Sequence, residues 1–289
     1  MENKNKSKNG TEKSPSRIKS LIKILLWALL LAIILKSFFI EAYRIPTSSM
    51  EKTLLAGDFI FVNKAAYSIS TPRYVPILGT KIRSFDLVAF SKPSRGDVIV
   101  FEFPEHREGN KIKTANYVKR VIGLPGDTVE IINNVVYVNG RTFLEDNRHL
   151  SKKKREAITD NKIFSTKNHW NGKNYGPVIV PWKGLSVEVN YRNINIIGPL
   201  IDREYEKKVV SVEGSVINIE GKPARTYIFK EDHYFFMGDN RKISMDSRHW
   251  GFIPENLIIG KAEIIYWSID PNLSAIKSLR FGRLFKSVN

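Results

Sequence analysis

The 289-residue chain contains no cysteine, so a disulfide scaffold, a thiol nucleophile and a cysteine-ligated metal are all excluded. Acidic residues are few, with 29 Asp and Glu against 46 Lys and Arg, for a formal net charge of +17. This excess fits a nucleic-acid partner, an anionic membrane or only a well-solvated surface. The strings H-E-x-x-H and G-x-S-x-G and the P-loop motif are also missing, which removes three common enzyme signatures.

One apolar segment, Leu21–Ile40, is long enough to cross a bilayer as a helix of about 30 Å. Lys23 and Lys36 lie near its ends, where lysine side chains can reach the headgroups. No small-x-small cleavage site follows, so we expect an uncleaved signal anchor. Arg17 and Lys19 on the N-terminal flank predict a cytoplasmic tail and an extracytoplasmic body. A buried core helix is the alternative.

The remainder of the chain predicts a mostly β protein. Short runs of alternating or β-branched residues are separated by Gly, Pro and Asn, and Asn133–Asn134 and Asn139–Gly140 are hairpin turn signals. The predicted strands are Asp58–Lys64, Phe85–Phe90, Asp97–Phe103, Tyr117–Ile122, Val129–Ile132, Val135–Val138, Ser186–Val189, Val209–Val212, Val216–Ile219, Tyr227–Phe229, Tyr234–Phe236 and Ile258–Trp267. Because no long amphipathic helical pattern interrupts them, we expect antiparallel sheets. The polar stretch Arg141–Tyr175 is predicted to be a surface insertion.

Ser49 is the first candidate for chemistry. It lies nine positions after Ile40, so even an extended chain keeps it within about 30 Å of the end of the anchor. A serine in a loop is ordinarily a turn or cap residue, and this position alone carries little weight.

Lys119 is the second candidate. On a strand, its side chain shares a face with Tyr117 and Val121. If that face is buried, desolvation lowers the lysine pKa, and a neutral amine can take a proton from a serine, as in Ser–Lys enzymes. A solvent-facing lysine on an edge strand is the alternative.

A third segment, Gly238–Gly251, places Ser244, Asp246 and Arg248 at two-residue steps after a Gly-Asp-Asn turn. It is either a structural loop closed by an Asp246–Arg248 pair, or a loop in which Ser244 orients the lysine amine.

Together these three segments resemble the bacterial type I signal peptidases, which are membrane-anchored serine proteases with a Ser–Lys dyad. Gly57–Asp58, Val62–Lys64 and Arg95–Phe101 also match, in the same order behind one anchor. The resemblance covers Ile45 to about Pro254. It implies an antiparallel catalytic β domain with a second β-rich lobe, behind one transmembrane helix. The implied extents are a cytoplasmic basic tail (1–20), the anchor (21–40), the catalytic domain (41–132 and 226–270), the inserted lobe (133–225) and a basic C-terminal tail (271–289).

The resemblance implies Ser49 as nucleophile and Lys119 as general base, with an oxyanion hole formed by the Ser49 backbone N–H and the Thr47 hydroxyl. Ser244 would hydrogen-bond the Lys119 amine, and Asp246 with Arg248 would support that loop. Tyr117 and Phe236 would shield the lysine from water. The implied substrate-binding residues are Tyr43, Ile45, Met50, Leu54, Tyr117 and Val118.

The implied activity is removal of signal peptides after small residues at −1 and −3, with no cofactor and no metal. The implied partners are preproteins and membrane lipid, close to the secretion translocon in the bacterial inner membrane. Nucleic acid is disfavoured, because the charge is dispersed and the body is predicted to be extracytoplasmic. Four departures from the family pattern leave the reacting groups intact: Thr47 for serine, Ser48 for glycine, Lys52 for proline, and Lys242-Ile243 for Asp-Asn.

Other readings stay open. Ser49-Met50-Glu51-Lys52 is an S-x-x-K string, as in penicillin-binding proteins, although the S-D-N and K-T-G elements are absent. A Ser–His enzyme would use His106, His149, His169, His233 or His249, of which His233 and His249 flank the third segment. A non-catalytic bitopic interaction protein is a third reading. The basic and apolar residues of 277–286 predict either a membrane contact or a frayed terminus.

Overall fold

The computed structural model describes residues 17–75, 78–82, 84–108, 111–143 and 170–288. Most of the predicted tail and of the predicted Arg141–Tyr175 insertion lie outside the described residues, as do His149 and His169.

The helices are α1 (Arg17–Phe38), α2 (Ile194–Glu204) and α3 (Ser247–Trp250). The strands are β1 (Ile40–Arg44), β2 (Asp58–Asn63), β3 (Ser68–Ser70), β4 (Asp86–Ala89), β5 (Val98–Glu108), β6 (Lys111–Gly123), β7 (Thr128–Ile132), β8 (Val135–Val138), β9 (Arg141–Thr142), β10 (Tyr175–Ile179), β11 (Ser186–Glu188), β12 (Val210–Glu213), β13 (Val216–Ile219), β14 (Lys222–Pro223), β15 (Thr226–Ile228), β16 (His233–Met237), β17 (Ile253–Pro254), β18 (Ile258–Ser268) and β19 (Lys286–Ser287).

Helix α1 is the predicted anchor, shifted a few residues toward the N-terminus. Residues Ile18–Phe38 are long and apolar enough to cross a membrane, and none of their most apolar window is buried. The alternative of a buried core helix is therefore wrong. A single residue, Phe39, separates α1 from β1.

The main sheet is antiparallel throughout, as the sequence predicts. Its strand order is β1-β2-β18-β5-β6-β16-β17, with β19 paired to β18. Alternate residues of β5 face opposite sides. Val98 and Val100 join one buried cluster, whereas Ile99 and Phe101 pack with Phe236 in another.

The strand edges left open in the described part of the chain include those of β1 and β6. Strand β1 ends the sheet and pairs only with β2. Strand β6 pairs with β5 along its length, but β16 covers its other edge only at Arg120, Val121 and Gly123. The edge of β6 that includes Lys119 is therefore left open next to the site described below.

A second β-rich lobe contains the sheets β10-β7-β8-β9, β12-β13-β14 and β11-β15. Asn133, Asn134, Asn139 and Gly140 all have positive φ, as two-residue hairpin turns with a type I′ backbone require. The predicted domain boundaries stay a prediction, and β7 and β15, which lie outside the predicted lobe, pair with its strands.

Helix α2 departs from the expectation of a body without helices. It is only 11 residues long and carries Gly198 and Pro199 in its middle, so its sequence pattern is weak. Tertiary packing supports it instead, because Ile194, Leu200 and Ile201 are buried in the lobe core.

The C-terminal segment does not fray within the described residues. Strand β19 pairs with β18, and Val288 is buried in the main core. Arg283 pairs with the buried Asp58, and Arg280 with Asp270. Two of the basic side chains of the predicted C-terminal tail, Arg280 and Arg283, therefore form ion pairs within the fold.

Candidate active site

Ser49 lies in a series of tight turns after β1. The Glu51 N–H donates to the Ser48 carbonyl, and the Leu54 N–H donates to the Met50 carbonyl. The loop is tied to the third segment by Asn240, whose backbone N–H donates to the Ser49 carbonyl at 3.0 Å. The position of Ser49 therefore depends on chain almost 200 residues away.

The turn also explains one departure from the family pattern. Lys52 has a φ of 99°. Proline fixes φ near −65°, so a proline could not adopt this backbone. The chain after Ser49 thus follows a path different from the one that a proline would impose.

Lys119 meets Ser49 across the fold. Lys119 Nζ lies 2.9 Å from Ser49 Oγ and donates to the Val118 carbonyl at 2.9 Å. The residue is 2% exposed. Of the two orientations that the sequence left open, the structure has the inward one, and the alternative of a solvent-facing lysine is wrong.

Apolar surroundings account for the electrostatics of the amine. The Tyr117 ring centroid lies 5.5 Å from Lys119 Nζ, and Tyr117 stacks on Phe101, which stacks on Phe236. Desolvation lowers the pKa of Lys119 from 10.5 to about 8, against the opposing effect of Asp246 and Asp239. A useful fraction of neutral amine is therefore present near neutral pH.

The third segment folds around a fully buried ion pair. Asp246 accepts from Arg248 Nε at 2.8 Å and Nη2 at 2.9 Å, and it caps α3 through the Arg248 N–H. It also accepts from the Gly238 N–H at 3.1 Å. The arginine holds the pKa of Asp246 at about 2, so its charge persists. The predicted supporting pair therefore exists in this structure.

Ser244 does not make the predicted contact. It is buried, and its Oγ has no hydrogen-bond partner in the part of the chain that the structure describes. The donors of Lys119 go to the Val118 carbonyl and toward Ser49 instead. Ser244 lies against Gly238, where a β-carbon would come within 2.2 Å of Ser244 Oγ and 2.6 Å of the Ser49 carbonyl oxygen. Glycine at 238 lets these two parts of the site approach each other.

Thr47 lies on the exposed side of the nucleophile, with its Oγ1 3.4 Å from Ser49 Oγ. An oxygen bound near Ser49 could therefore receive two donors, the Thr47 hydroxyl and the Ser49 backbone N–H.

The predicted substrate-binding residues divide into two layers. Tyr43, Tyr117 and Val118 are partly exposed. Met50 and Leu54 have no exposed surface, and Ile45 is buried with them in the main core. Contrary to expectation, these three residues do not line an open pocket, because their side chains are packed inside the hydrophobic core. They support Tyr43 and Val118 from beneath.

Sequence reasoning missed a buried polar network beside the site. Arg120 binds Asp239 through Nε at 2.8 Å and Nη2 at 2.7 Å. Thr53 donates to Asp239 at 2.6 Å and accepts from Arg120 at 3.0 Å. The signal was present, because Arg120 follows Lys119 on the opposite face of the strand and Asp239 belongs to the Gly-Asp-Asn turn.

The alternatives find little support in the geometry. His233 is buried, with a pKa lowered to about 3 by desolvation, and it lies 3.8 Å from Glu204. His249 lies beside Asp246. The S-x-x-K string forms turns rather than opening a helix. Among the described residues, no group of three or more His, Asp and Glu side chains could hold a metal ion.

Comparisons with known proteins agree with this geometry. The family model described as signal peptidase, peptidase S26, matches residues 18–267. Signal peptidase I of Buchnera aphidicola subsp. Acyrthosiphon pisum (strain APS) is 34% identical over 251 residues, which cover 83% of this chain and 72% of that protein. Signal peptidase I of Pseudomonas aeruginosa is 32% identical, covering 83% of this chain and 70% of that protein. Signal peptidase I of Aquifex aeolicus (strain VF5) is 31% identical, covering 81% and 78%.

The matched residues run from α1 through β18, and they include the serine loop, the buried lysine and the loop that joins them. The chain therefore belongs to the signal peptidase family, peptidase S26, and is a membrane-anchored serine endopeptidase.

Proposed function

We propose that this protein removes signal peptides from secreted preproteins, cutting after small residues at −1 and −3, with Ser49 as nucleophile and Lys119 as general base. The observation that carries the proposal is the 2.9 Å separation of Lys119 Nζ and Ser49 Oγ. It occurs where desolvation brings the lysine pKa to about 8.

The chemistry begins with the neutral amine. Its lone pair accepts the Ser49 proton while the serine oxygen attacks the substrate carbonyl carbon. The tetrahedral intermediate then collapses, the peptide C–N bond breaks, and the lysine ammonium protonates the leaving amine. The neutral lysine next takes a proton from water, the hydroxide attacks the acyl-serine ester, and the ammonium returns a proton to Ser49.

The developing oxyanion receives hydrogen bonds from the Ser49 backbone N–H and the Thr47 hydroxyl. Each such donor is typically worth about 3 kcal/mol in the transition state. Because Thr47 is exposed and lies on the open side of the site, the negative oxygen would form where the substrate arrives.

The free edges of β1 and β6 suggest how a substrate is held. An extended peptide can add to open strand edges through main-chain hydrogen bonds, with side-chain size providing the selection. Tyr43 on β1 and Asn116 on β6 are 3.5 Å apart at the OH and Nδ2 atoms, so side chains of the two strands meet across the space between the edges. We attribute the proposed preference for small side chains to the close-packed core beneath this surface, where Met50 and Leu54 have no exposed surface.

We further propose that residues 1–20 face the cytoplasm and that the body lies on the outer side of the inner membrane, near the translocon from which substrates emerge. Lys19 and Lys23 precede the most apolar part of α1, which supports that orientation. Membrane lipid is the second proposed partner. Phe61, Trp267 and Phe285 are exposed on or next to the adjacent strands β2, β18 and β19, and aromatic side chains favour the bilayer interface.

The test uses the full-length protein in detergent with an A-x-A preprotein and N-terminal sequencing of the product. Ser49→Ala and Lys119→Met should each lower the rate by about 10⁴-fold or more, as losses in catalytic triads do. Ser48→Ala, a neighbouring hydroxyl, and Lys222→Met, an exposed lysine on a strand, are matched controls that should retain activity.

Normal processing by either dyad variant would refute the assignment. Covalent labelling of Ser49 by a β-lactam, without preprotein cleavage, would favour the penicillin-binding alternative. If Ser49→Ala and Lys119→Met both keep the protein's function in cells, the non-catalytic interaction protein would be the favoured alternative.

A further inference from the structure

The junction between α1 and the catalytic sheet is closed by the side chain of Lys64. Lys64 Nζ donates to the Ser37 carbonyl at 2.8 Å and to the Lys36 carbonyl at 3.4 Å, and it lies 3.7 Å from the Glu41 carboxylate. The Lys64 backbone N–H donates to the Phe39 carbonyl at 2.8 Å. The last carbonyls of a helix lack partners within the helix and carry partial negative charge, so an ammonium is favourable there.

This contact fixes the helix to two strands at once. Lys64 directly follows Asn63, the last residue of β2, and Asn63 pairs with Ile40, the first residue of β1. The most apolar window of α1 has no buried residue, so the body holds the helix at this junction rather than along its length. Without the lysine, the helix could pivot about Phe39.

The same strands set the height of Ser49. Five residues of β1 rise about 17 Å along the strand. The pairing continues through Ile45, whose N–H donates to the Asp58 carbonyl and whose carbonyl accepts from the Gly57 N–H, both at 2.8 Å. The Ser49 loop therefore starts from a rigid base. If the length of β1 is taken as the height of the Ser49 loop above the end of α1, a substrate whose apolar segment ends at the same depth as α1 would reach Ser49 with about five extended residues.

We propose that Lys64 is a positioning residue that fixes the height and tilt of the catalytic sheet above the bilayer. It thereby sets how many residues a preprotein needs between the end of its apolar segment and the bond that is cut. The inference rests on the proposed function and adds to it a specificity determinant that lies away from the dyad.

The test uses full-length enzyme in phospholipid vesicles and preproteins with spacers of different length before the A-x-A site. We expect the wild type to prefer a spacer of about five residues, with kcat/KM falling about tenfold for spacers three residues longer or shorter. Lys64→Met should flatten this dependence to within about threefold, because the sheet can then tilt. Lys64→Arg, which keeps a cation for the carbonyls, should restore the preference. All three should cut a short A-x-A peptide in detergent at equal rates.

A second variant guards against misfolding of Lys64→Met. Two glycines inserted between Phe38 and Phe39 loosen the junction without removing a side chain, and they should flatten the spacer dependence in the same way. An unchanged spacer profile in the folded variants would overturn the inference. Failure of the wild type to cut any preprotein would instead contradict the proposed function.

A measurement without substrate separates the two outcomes further. Because the chain has no cysteine, Met245→Cys at an exposed position of the Gly238–Gly251 segment accepts a single spin label. The distance between this spin label and labelled lipid headgroups should have a narrow distribution in the protein with Lys64. Lys64→Met should clearly broaden that distribution. Equal distributions would refute the positioning role whatever the enzyme cleaves.

Discussion

Replacing Lys119 by methionine should abolish activity and yet stabilise the fold at neutral pH. Burial lowers the pKa of Lys119 to about 8 from 10.5, and the residue is 2% exposed, so solvent screens this effect little. A pKa that is lower in the folded state means that the unfolded chain binds the proton more tightly. The protonated lysine therefore opposes folding, and methionine removes that opposition while keeping an unbranched apolar chain.

The magnitude follows from the shift. A change of about 2.5 pKa units corresponds to about 3 kcal/mol, present in full below pH 8 and lost as the pH rises toward 10.5. Loss of the hydrogen bond to the Val118 carbonyl offsets about 1 kcal/mol. We expect Lys119→Met to be more stable by about 2 kcal/mol at pH 7, or about 4–8 °C in Tm for a domain of this size.

The assay is denaturant unfolding of wild type and Lys119→Met in the same detergent at several pH values. The difference in free energy of unfolding between the two proteins should fall by about 3 kcal/mol between pH 7 and pH 10.5. Because all other titratable groups are shared, their pH effects cancel in this difference. Lys222→Met, at an exposed strand position, should show no such trend. A difference that is constant over this window, or a less stable variant at pH 7, would refute the desolvated-base argument.

Three further changes test the surroundings of the base. Asp246→Asn removes a carboxylate that raises the pKa of Lys119, so the acid limb of the kcat/KM pH profile should move to lower pH by about one unit. A shift to higher pH would contradict the effect of Asp246 on the lysine pKa. Arg120→Met leaves Asp239 buried and unpaired and should cost about 3 kcal/mol in denaturant unfolding, with partial recovery on adding Asp239→Asn. Gly238→Ala places a methyl group 2.6 Å from the carbonyl of the nucleophile and should lower kcat about 100-fold, measured against Gly282→Ala, where the added group meets nothing and φ is not positive.

Twelve of the nineteen described strands could be predicted from sequence because each of these is marked locally, whereas β1, β3, β9, β10, β14, β17 and β19 were missed. Val135–Val138 and Val216–Ile219 coincide with β8 and β13, since a β-branched run flanked by turn residues has few other conformations. The missed elements lack such marks. Strands β14, β17 and β19 have two residues each and exist only because a neighbouring strand is present, and α2 depends on the lobe core for its stability.

The site was predictable in part for the same reason. Lys119 shares one face with Tyr117 and Val121 by strand alternation, which leaves open whether that face is buried. Its 2.9 Å approach to Ser49 joins residues 70 positions apart, and no local pattern encodes such a distance. The resemblance supplied that pairing, but it also supplied a Ser244 contact with Lys119 that the described structure does not contain, since Ser244 Oγ has no hydrogen-bond partner there.

The position of the base is set through its backbone rather than through its amine. A general base must keep its lone pair for the reaction, so its side chain cannot be held by many hydrogen bonds. The next residue, Arg120, points to the other face of β6 and makes a bidentate bond to Asp239, one position before Asn240, which holds the Ser49 carbonyl. Strand β6 therefore carries Lys119 on its buried face. On the opposite face it carries Arg120, whose pair with Asp239 holds the turn that binds the Ser49 carbonyl. It follows that loosening the Arg120–Asp239 pair should displace Ser49 relative to Lys119 while leaving the lysine pKa dominated by burial.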